Sequence, residues 1–303
     1  MLGGVRHEIV SPDQSGQRID NYLMGLPEKP PRSLVYRLIR TGQVRVNGGR
    51  AKPMQKLKAG DDVRIPPMES PKTHAQVDER VKARWQALLD SWCLEKGSGW
   101  VAFNKPSGLA MHGGTGVDVG LIDMIQASHP DWQLVHRLDR ATSGVVLVAT
   151  NRQDLLRLQA WFKDRLIEKK YLALLQGRLP ESQIIVDQPL KKIRDGSGQR
   201  RVIVDSSGQS AKSTFKVLGR FANATFVEVS IETGRMHQIR AHAAAIGHAV
   251  VGDERYNEAR TLAGLKRLFL HAHQLTLPEP DACVVAAPLP EALRQVLDSL
   301  RAA

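Results

Sequence analysis

The chain has 303 residues, of which 42% are hydrophobic and 24% are charged, close to the averages for globular proteins. This composition excludes a wholly disordered or collagen-like chain, and the length favours two domains. No apolar run approaches the roughly 18 residues that a membrane span needs, and residues 1–7 lack the apolar block of a signal peptide, so we expect a cytoplasmic protein without a membrane partner. Cys93 and Cys283 lie far apart and form no Cys-X-X-Cys motif, which predicts neither a disulfide framework nor a cysteine-rich zinc site.

The net charge of +12 indicates a polyanionic partner, most simply a nucleic acid. More than half of this excess lies in residues 16–66, which contain eleven Lys or Arg and four Asp or Glu. Apolar residues at helical spacing predict two short helices, over 19–26 and 34–39, and Arg37 and Arg40 share a face of the second helix away from its apolar stripe. A hairpin follows at Asn47-Gly48. On pattern alone, this basic face is either a docking surface or merely solvated.

Residues 16–23 (GQRIDNYL) and 33–48 (SLVYRLIRTGQVRVNG) resemble the S4-like RNA-binding domain. In that family the second helix and the following loop present basic residues to structured RNA. The resemblance implies that four arginines face RNA phosphates: Arg32, Arg37, Arg40 and Arg45. An arginine side chain suits this role because its planar fork can hold a phosphate with two hydrogen bonds. We therefore assign residues 1–66 to an S4-like RNA-binding domain.

The polar stretch that follows predicts a linker over residues 67–91, and the second domain is placed at 92–303. Trp85, Leu88, Leu89 and Trp92 have the spacing of a bridging helix turn at the end of this linker. This domain opens with a predicted hairpin at 93–103. Further predicted strands are 144–150, 171–176, 201–204, 213–218, 225–231 and 268–277; predicted helices are 120–127, 153–164, 236–245 and 290–300. Strands outnumber helices and do not alternate with them regularly. The pattern favours an α+β fold on a mostly antiparallel sheet over a Rossmann arrangement.

The most informative segment for chemistry is residues 136–144, HRLDRATSG, which precedes an apolar strand. Asp139 stands between Arg137 and Arg140, and this places an ionised carboxylate at the edge of a core. On composition alone, a surface ion pair of little energetic worth is the favoured interpretation. A kinase-like function is disfavoured because the HRDxxxxN order is absent. A metal site is disfavoured because no second cluster at ligand spacing lies nearby.

Five segments in order resemble the motifs of the RluA-type pseudouridine synthases: 104–108 with 112–116, 136–144, 168–173, 233–242 and 267–272. The evident departure is Met236, where a small or hydroxyl residue is more usual. The resemblance implies isomerisation of uridine to pseudouridine in RNA. Because that reaction is redox-neutral, no nucleotide cofactor and no metal are expected. His237 and His242 are five residues apart, unlike the four-residue spacing of a zinc-binding helix.

By the same resemblance, Asp139 is the catalytic carboxylate, either as nucleophile at the sugar or as a base. Arg235 matches the ion-pair partner of that carboxylate, since a nearby cation favours the ionised form. Tyr171 is expected to stack on the base and to help remove the proton from its carbon five. Without the resemblance, a tyrosine that anchors a strand is the simpler interpretation of Tyr171.

Three further residues are expected to bind substrate. Arg137 matches a residue that fills the gap left when the target nucleotide is flipped out of its helix. Lys105 either contacts phosphate or begins a loop, and Leu270 shapes the base pocket. The basic stretch 191–201 is predicted to be a mobile loop that grips RNA or is merely solvated.

Residues 33–67 are most similar to the RluC subgroup of the family. This similarity implies uridines of large-subunit ribosomal RNA near the peptidyl-transferase centre. The alternatives are an RluD-type enzyme that modifies a different large-subunit helix, and a catalytically idle RNA-binding factor in ribosome assembly. Retention of Asp139, Tyr171 and Arg235 argues against an idle factor, because binding phosphates requires no carboxylate. We expect a monomer whose partner is RNA and not DNA.

Overall fold

The computed structural model describes residues 4–28, 30, 32–68, 78–113, 119–194, 196, 200–256 and 264–302. Its contacts divide the chain into two units, Met1–Glu79 and Arg80–Ala303. Within the described segments, no helix combines the length and the apolar composition that crossing a membrane requires.

The first unit packs two helices on a four-stranded sheet. Its elements are β1 (Arg6–Ile9), α1 (Ile19–Met24), α2 (Arg32–Arg40), β2 (Arg45–Val46), β3 (Gly49–Arg50) and β4 (Asp62–Ile65). The strand order is β1-β4-β2-β3. The two predicted apolar stripes form the core, in which Ile19, Leu23 and Val35 are completely buried. Asn47 and Gly48 have φ values of 50° and 76°, as the predicted tight hairpin turn requires.

Three of the four predicted RNA-facing arginines are exposed on this unit. Arg37 and Arg40 lie on the outer face of α2, and Arg45 lies at the start of β2. The side chain of Arg32 is outside the described part of the chain.

The predicted linker is wrong for its second half. Residues 69–77 lie outside the described part, but from residue 79 the chain forms a helix, α3 (Glu79–Trp92). Leu89 of α3 is 2% exposed and belongs to the same core cluster as Val101 and Phe103. The apolar residues of this stretch are therefore one face of a helix of the second unit, although the charged residues between them give it the composition of a linker.

The second unit is built on a ten-stranded sheet. In chain order its elements after α3 are β5 (Cys93–Gly97), β6 (Trp100–Lys105), α4 (Leu121–Ser128), β7 (Gln133–Leu134), β8 (Ser143–Ala149), α5 (Arg152–Lys163), β9 (Glu168–Gln176), β10 (Gln183–Asp187), β11 (Leu190–Arg194), β12 (Arg200–Val204), β13 (Lys212–Arg220), β14 (Ala224–Ile231), α6 (Gln238–Ala245), β15 (Leu270–Leu277), β16 (Cys283–Ala286) and α7 (Glu291–Ala302). The main path of the sheet is β10-β13-β14-β9-β15-β8-β6-β5. Neighbouring strands are antiparallel except β8 and β15, which confirms the predicted α+β class.

Near the centre of the sheet, β8 and β15 make a short parallel contact. His271 and Ala272 pair with Ser143 and Gly144, after which β15 continues beside β16. Gly144 has a φ of 116°, and a Cβ atom built there would lie 2.1 Å from the carbonyl oxygen of Ala272. Only glycine permits this approach.

The basic stretch 191–201 is more ordered than the predicted loop. β11 and β12 form an antiparallel hairpin in which Leu190 pairs with Val204 and Arg194 pairs with Arg200. Of the segment between these strands, only residue 196 is described.

Candidate active site

Asp139 lies in the loop between β7 and β8, and hydrogen bonds fix this loop on both sides of the residue. The amide of Thr142 donates to the carbonyl of Asp139 at 3.0 Å. Next to it, Arg140 exchanges two hydrogen bonds with Gly108: the Gly108 amide donates to the Arg140 carbonyl at 2.8 Å, and Arg140 Nε donates to the Gly108 carbonyl at 2.9 Å. The Ser107 hydroxyl donates to the carbonyl of Ala141 at 2.7 Å. The segment at 104–108 thus holds the segment at 136–144 in place.

Lys105 contributes to this support and does not reach out to phosphate. Its side chain is completely buried, and its ammonium donates to the carbonyls of Pro106, Leu109 and Arg140 at 2.9, 2.8 and 3.3 Å. Burial and the charge of Arg267 lower the pKa of Lys105 to about 7. The prediction of a phosphate contact is therefore wrong, because all three N–H groups of the ammonium are used by backbone carbonyls that shape the loop.

His136 fixes the start of the same loop through two contacts. Its ring stacks on Phe162 with centroids 4.6 Å apart, and its Nε2 accepts the amide N–H of Leu147 at 2.9 Å. Burial lowers the pKa of His136 to about 3. This histidine is therefore neutral and structural.

The ion-pair partner of Asp139 is Arg240, and the expected partner Arg235 is not. Nη1 of Arg240 lies 3.7 Å from Oδ2 of Asp139. Arg240 is held by Asp253, whose two carboxylate oxygens accept hydrogen bonds of 2.7 Å from its Nε and Nη2. Arg235 is exposed, and its Nε donates to the carbonyl of Ser210 at 3.2 Å.

The start of α6 explains why the two arginines differ. His237 has a φ of 53°, and the helix begins after it, at Gln238. Gln238 is buried and fixes the turn: its Oε1 accepts from the Thr233 hydroxyl at 2.8 Å and from the amide of Arg235 at 3.0 Å. The left-handed turn leaves Arg235 outside the helix, while Arg240 lies on the first turn of the helix, toward Asp139.

Tyr171 and Leu270 lie where the resemblance implied, beside Asp139. They line a cavity of about 70 Å³ together with Asp139, Arg137 and Ile231. Burial, reinforced by the negative charge of Asp139, raises the pKa of Tyr171. The phenol of Tyr171 therefore keeps its proton at neutral pH.

Two larger openings meet this cavity at Asp139 and Arg137. One is a cleft of about 1050 Å³, whose walls carry Lys266, Arg267 and Arg294. The other has a volume of about 620 Å³ and is lined by Arg235 and, from the β11–β12 hairpin, Lys192 and Arg194. Arg137 is exposed and lines all three spaces. A carboxylate thus lies at the junction of a small, partly apolar cavity and two basic surfaces.

The sequence arguments named no role for Arg240, Asp253, Tyr256 or Arg267. Arg240 and Arg267 lie within segments that resemble family motifs, but the sequence does not show how the turns in those segments orient their side chains. Asp253 and Tyr256 follow a buried stretch and carry no motif of their own. The aromatic ring of Tyr256 lies 5.1 Å from the guanidinium carbons of both Arg201 and Arg240, and it is therefore part of the packing that orients Arg240.

This fold and site define an enzyme with a carboxylate-centred active site beside basic clefts, preceded by a small unit with an exposed arginine face. Residues 99–245 match the family described as RNA pseudouridylate synthase, and residues 17–63 match the S4 domain. The chain belongs to the RNA pseudouridylate synthase family, which makes it an RNA pseudouridine synthase and confirms the predicted class of isomerase.

Curated relatives and solved structures agree. The chain is 40% identical to ribosomal large subunit pseudouridine synthase C of Pasteurella multocida, over 96% of this chain and 93% of the relative. It is also 40% identical to the protein of that name from Vibrio vulnificus, over 96% and 95%. The solved structure of human RNA pseudouridylate synthase domain containing 4 is 25% identical, with a TM-score of 0.61, and the match covers 73% of this chain and 96% of that one. These relatives confirm the resemblance to the RluC subgroup.

Proposed function

We propose that this chain converts specific uridines of large-subunit ribosomal RNA into pseudouridine, with Asp139 as the catalytic carboxylate. The observation that carries the proposal is the position of Asp139, between a cavity lined by Tyr171 and Leu270 and two clefts lined by arginine and lysine. The names of the relatives that match over 96% of the chain support the choice of RNA.

The small cavity offers surface against which a base that has left its helix can stack. Tyr171 and Leu270 provide aromatic and aliphatic surface for stacking, and Asp139 faces the same space. The bond from N1 of the uracil to C1′ of the ribose breaks, the base turns, and C5 bonds to C1′. The proton on C5 is lost and N1 gains one. The carboxylate acts at C1′ as nucleophile, or as base at the sugar, and either role requires its ionised form.

Tyr171 takes part as a neutral phenol. Since burial and Asp139 raise the pKa of Tyr171, its phenolate is disfavoured and it does not act as a pre-formed base. Its ring stacks on the base, and its hydroxyl accepts the C5 proton as it passes its own proton to solvent water, from which N1 takes one.

The lysines and arginines that line the two clefts hold the RNA on either side of the flipped nucleotide. Arg137 lies at the junction of the three spaces, where it replaces the extruded base. Arg235 shares its opening with Lys192 of the β11–β12 hairpin, and we assign both to phosphate contacts. Arg37, Arg40 and Arg45 of the first unit dock a separate part of the RNA.

A single substitution tests the role of Asp139. Asp139→Asn preserves the size of the side chain but removes its charge and its nucleophilicity, so we expect folding and RNA affinity to be retained while pseudouridine formation is lost. Asp131→Asn, at an exposed position in the same region, is the matched control and should be fully active. Residual activity of Asp139→Asn within tenfold of wild type would refute the assignment.

The RNA target is tested in cells. Pseudouridines are mapped in large-subunit RNA from cells lacking the protein, and from the same cells carrying wild type or Asp139→Asn. We expect sites near the peptidyl-transferase centre to be lost and to return only with wild type. An unchanged map would contradict the target. If sites in another large-subunit helix were lost, the RluD-type assignment would replace this one.

We further propose that the enzyme acts as a cytoplasmic monomer and on RNA in preference to DNA. The match of residues 17–63 to the S4 domain supports the preference for RNA. Light scattering during gel filtration should give the mass of one chain, and a DNA analogue of the target sequence should bind more weakly than the RNA.

A further inference from the structure

Three groups in contact, the Val202 amide, Tyr256 and His237, connect strand β12 to the carboxylate of Asp139. The amide of Val202 donates to Oη of Tyr256 at 2.9 Å, and the same Oη lies 3.0 Å from Nδ1 of His237. On the other side of the imidazole, Nε2 of His237 lies 3.7 Å from Oδ2 of Asp139. The His237 and Tyr256 rings meet edge to face, with centroids 5.7 Å apart.

The hydrogen bonds among these groups determine which nitrogen of the His237 imidazole carries the proton. Burial raises the pKa of Tyr256, so its hydroxyl keeps its single proton. Because its oxygen already accepts the N–H of Val202, the hydroxyl donates to Nδ1 of His237. A neutral imidazole that accepts at Nδ1 carries its own proton on Nε2, the atom that faces Asp139.

The charges around His237 come from several elements. Asp139 faces it from the β7–β8 loop, Arg240 from the first turn of α6, and Asp253 and Arg255 from the segment after α6. Burial lowers the pKa of His237, the two arginines lower it further, and the two carboxylates oppose them. The side chain is 9% exposed, so solvent does little to stabilise the charged form.

We propose that His237 is a positioning residue: Tyr256 holds its imidazole in the Nε2–H form, and this N–H is presented to Oδ2 of Asp139. Arg240 makes its closest approach to the same oxygen, also at 3.7 Å. Oδ2 thus lies between a neutral donor and a cation, which limits rotation of the Asp139 carboxylate. The left-handed backbone at His237, with a φ of 53°, places the imidazole between Tyr256 and Asp139.

This inference rests on the proposed role of Asp139 and adds a residue that acts through it. It differs from an acid–base role for His237, because its Nδ1 is occupied by the hydroxyl of Tyr256 and only the Nε2–H donor is used. It also differs from a purely structural role, because it predicts that the donor and not the ring is what catalysis requires.

The test compares His237→Gln and His237→Leu in the full chain. The glutamine amide supplies an N–H at a reach similar to that of Nε2, whereas leucine supplies none. At saturating RNA, His237→Leu should lower the single-turnover rate by roughly 10- to 100-fold, with the Kd for RNA within about twofold of wild type. His237→Gln should recover the rate to within about fivefold of wild type. Wild-type rates in His237→Leu would overturn the inference, and so would a His237→Gln variant as slow as His237→Leu.

Tyr256→Phe provides a second test that leaves His237 in place and keeps the aromatic ring against Arg240. Without the donor to Nδ1, the imidazole protonates more readily and its cation pairs with Asp139. The rate of Tyr256→Phe should therefore fall as the pH is lowered from 8 to 6, while that of wild type stays level. Coincident pH profiles would refute the tautomer lock. Asp139→Asn is measured alongside: activity there would defeat the proposed function itself, whereas an inactive Asp139→Asn with unaffected His237 and Tyr256 variants would defeat only this inference.

Discussion

Arg240→Leu should damage the enzyme in two ways that can be measured separately. The guanidinium of Arg240 makes two hydrogen bonds of 2.7 Å to Asp253, and the side chains are only 7% and 0% exposed. Leucine leaves the Asp253 carboxylate buried without its cation, which costs about 3 to 5 kcal/mol. It also removes the cation 3.7 Å from Asp139. At that separation, two unit charges attract by about 4 kcal/mol at an effective dielectric constant of 20.

Two further variants separate stability from catalysis. Replacing both members of the buried pair, as Arg240→Leu with Asp253→Leu, removes the unpaired charge and should restore most of the stability. It should not restore the single-turnover rate, because Asp139 still lacks its cation. Arg235→Leu is the matched control: its side chain is exposed and makes one hydrogen bond to a carbonyl, so its loss should cost no more than about 1 kcal/mol.

The assays are urea unfolding followed by circular dichroism, and pseudouridine formation under single-turnover conditions. The reasoning is refuted if Arg240→Leu matches wild type in stability and rate. It is equally refuted if Arg235→Leu, still folded and saturated with RNA, has the lower rate of the two, or if the double variant regains full activity.

Three other outcomes are expected. Tyr171→Phe should keep RNA affinity, because stacking contributes about 1 to 3 kcal/mol per base, while the single-turnover rate falls; an unchanged rate would exclude the hydroxyl from proton transfer. Burial lowers the pKa of His271 to about 4, so the stability that its neutral form provides is complete above the unfolded value of about 6.5 and is lost as the pH falls toward 4. Between pH 7 and 5 this loss amounts to ~2 kcal/mol. The free energy of unfolding of His271→Gln, measured in urea, should therefore vary less with pH than that of wild type. Equal pH dependences would contradict the conclusion that His271 is buried in its neutral form. Replacing Arg37, Arg40 and Arg45 together by Gln should flatten the slope of log affinity against log salt by about 2 units; an unaltered slope in filter binding would exclude these side chains from phosphate contacts.

The sequence predicted correctly those helices, strands and turns whose formation depends mainly on residues close together in the chain. The apolar stripes of α1 and α2 are buried as expected, and the run before Thr150 forms the fully buried β8. The Asn47-Gly48 turn needs only its own two residues to be recognised. Strands β10 and β16 contain β-branched residues that favour strands, but they were missed because each is only four or five residues long, too short for a clear alternation of buried and exposed positions.

The sequence predicted Asp139, Tyr171 and Leu270 as members of the candidate site, but it did not predict the role of Arg240. Arg235 and Arg240 lie in one segment and have the same charge, and only the point at which α6 begins decides which one faces Asp139. Sequence periodicity placed that start at residue 236, whereas the left-handed turn at His237 delays it to Gln238. Lys105 shows the same limit: a lysine at the end of a strand is usually exposed, and its burial depends on three carbonyls, one of which, that of Arg140, belongs to a distant segment.

The central place of β15 also has a consequence for how the chain folds. β15 follows in sequence every strand of the main sheet path, yet it lies between β9 and β8. Until β15 has been synthesised, β9, which carries Tyr171, and the start of β8, beside Asp139, lack the strand that joins them. The β9 edge that β15 later fills is a strand edge of the kind that is prone to aggregation while it is unpaired. The two halves of the active site meet only when β15 joins these strands, and pairing across such sequence distances is slow. The active site is therefore complete only once the last strand of the main sheet path is in place.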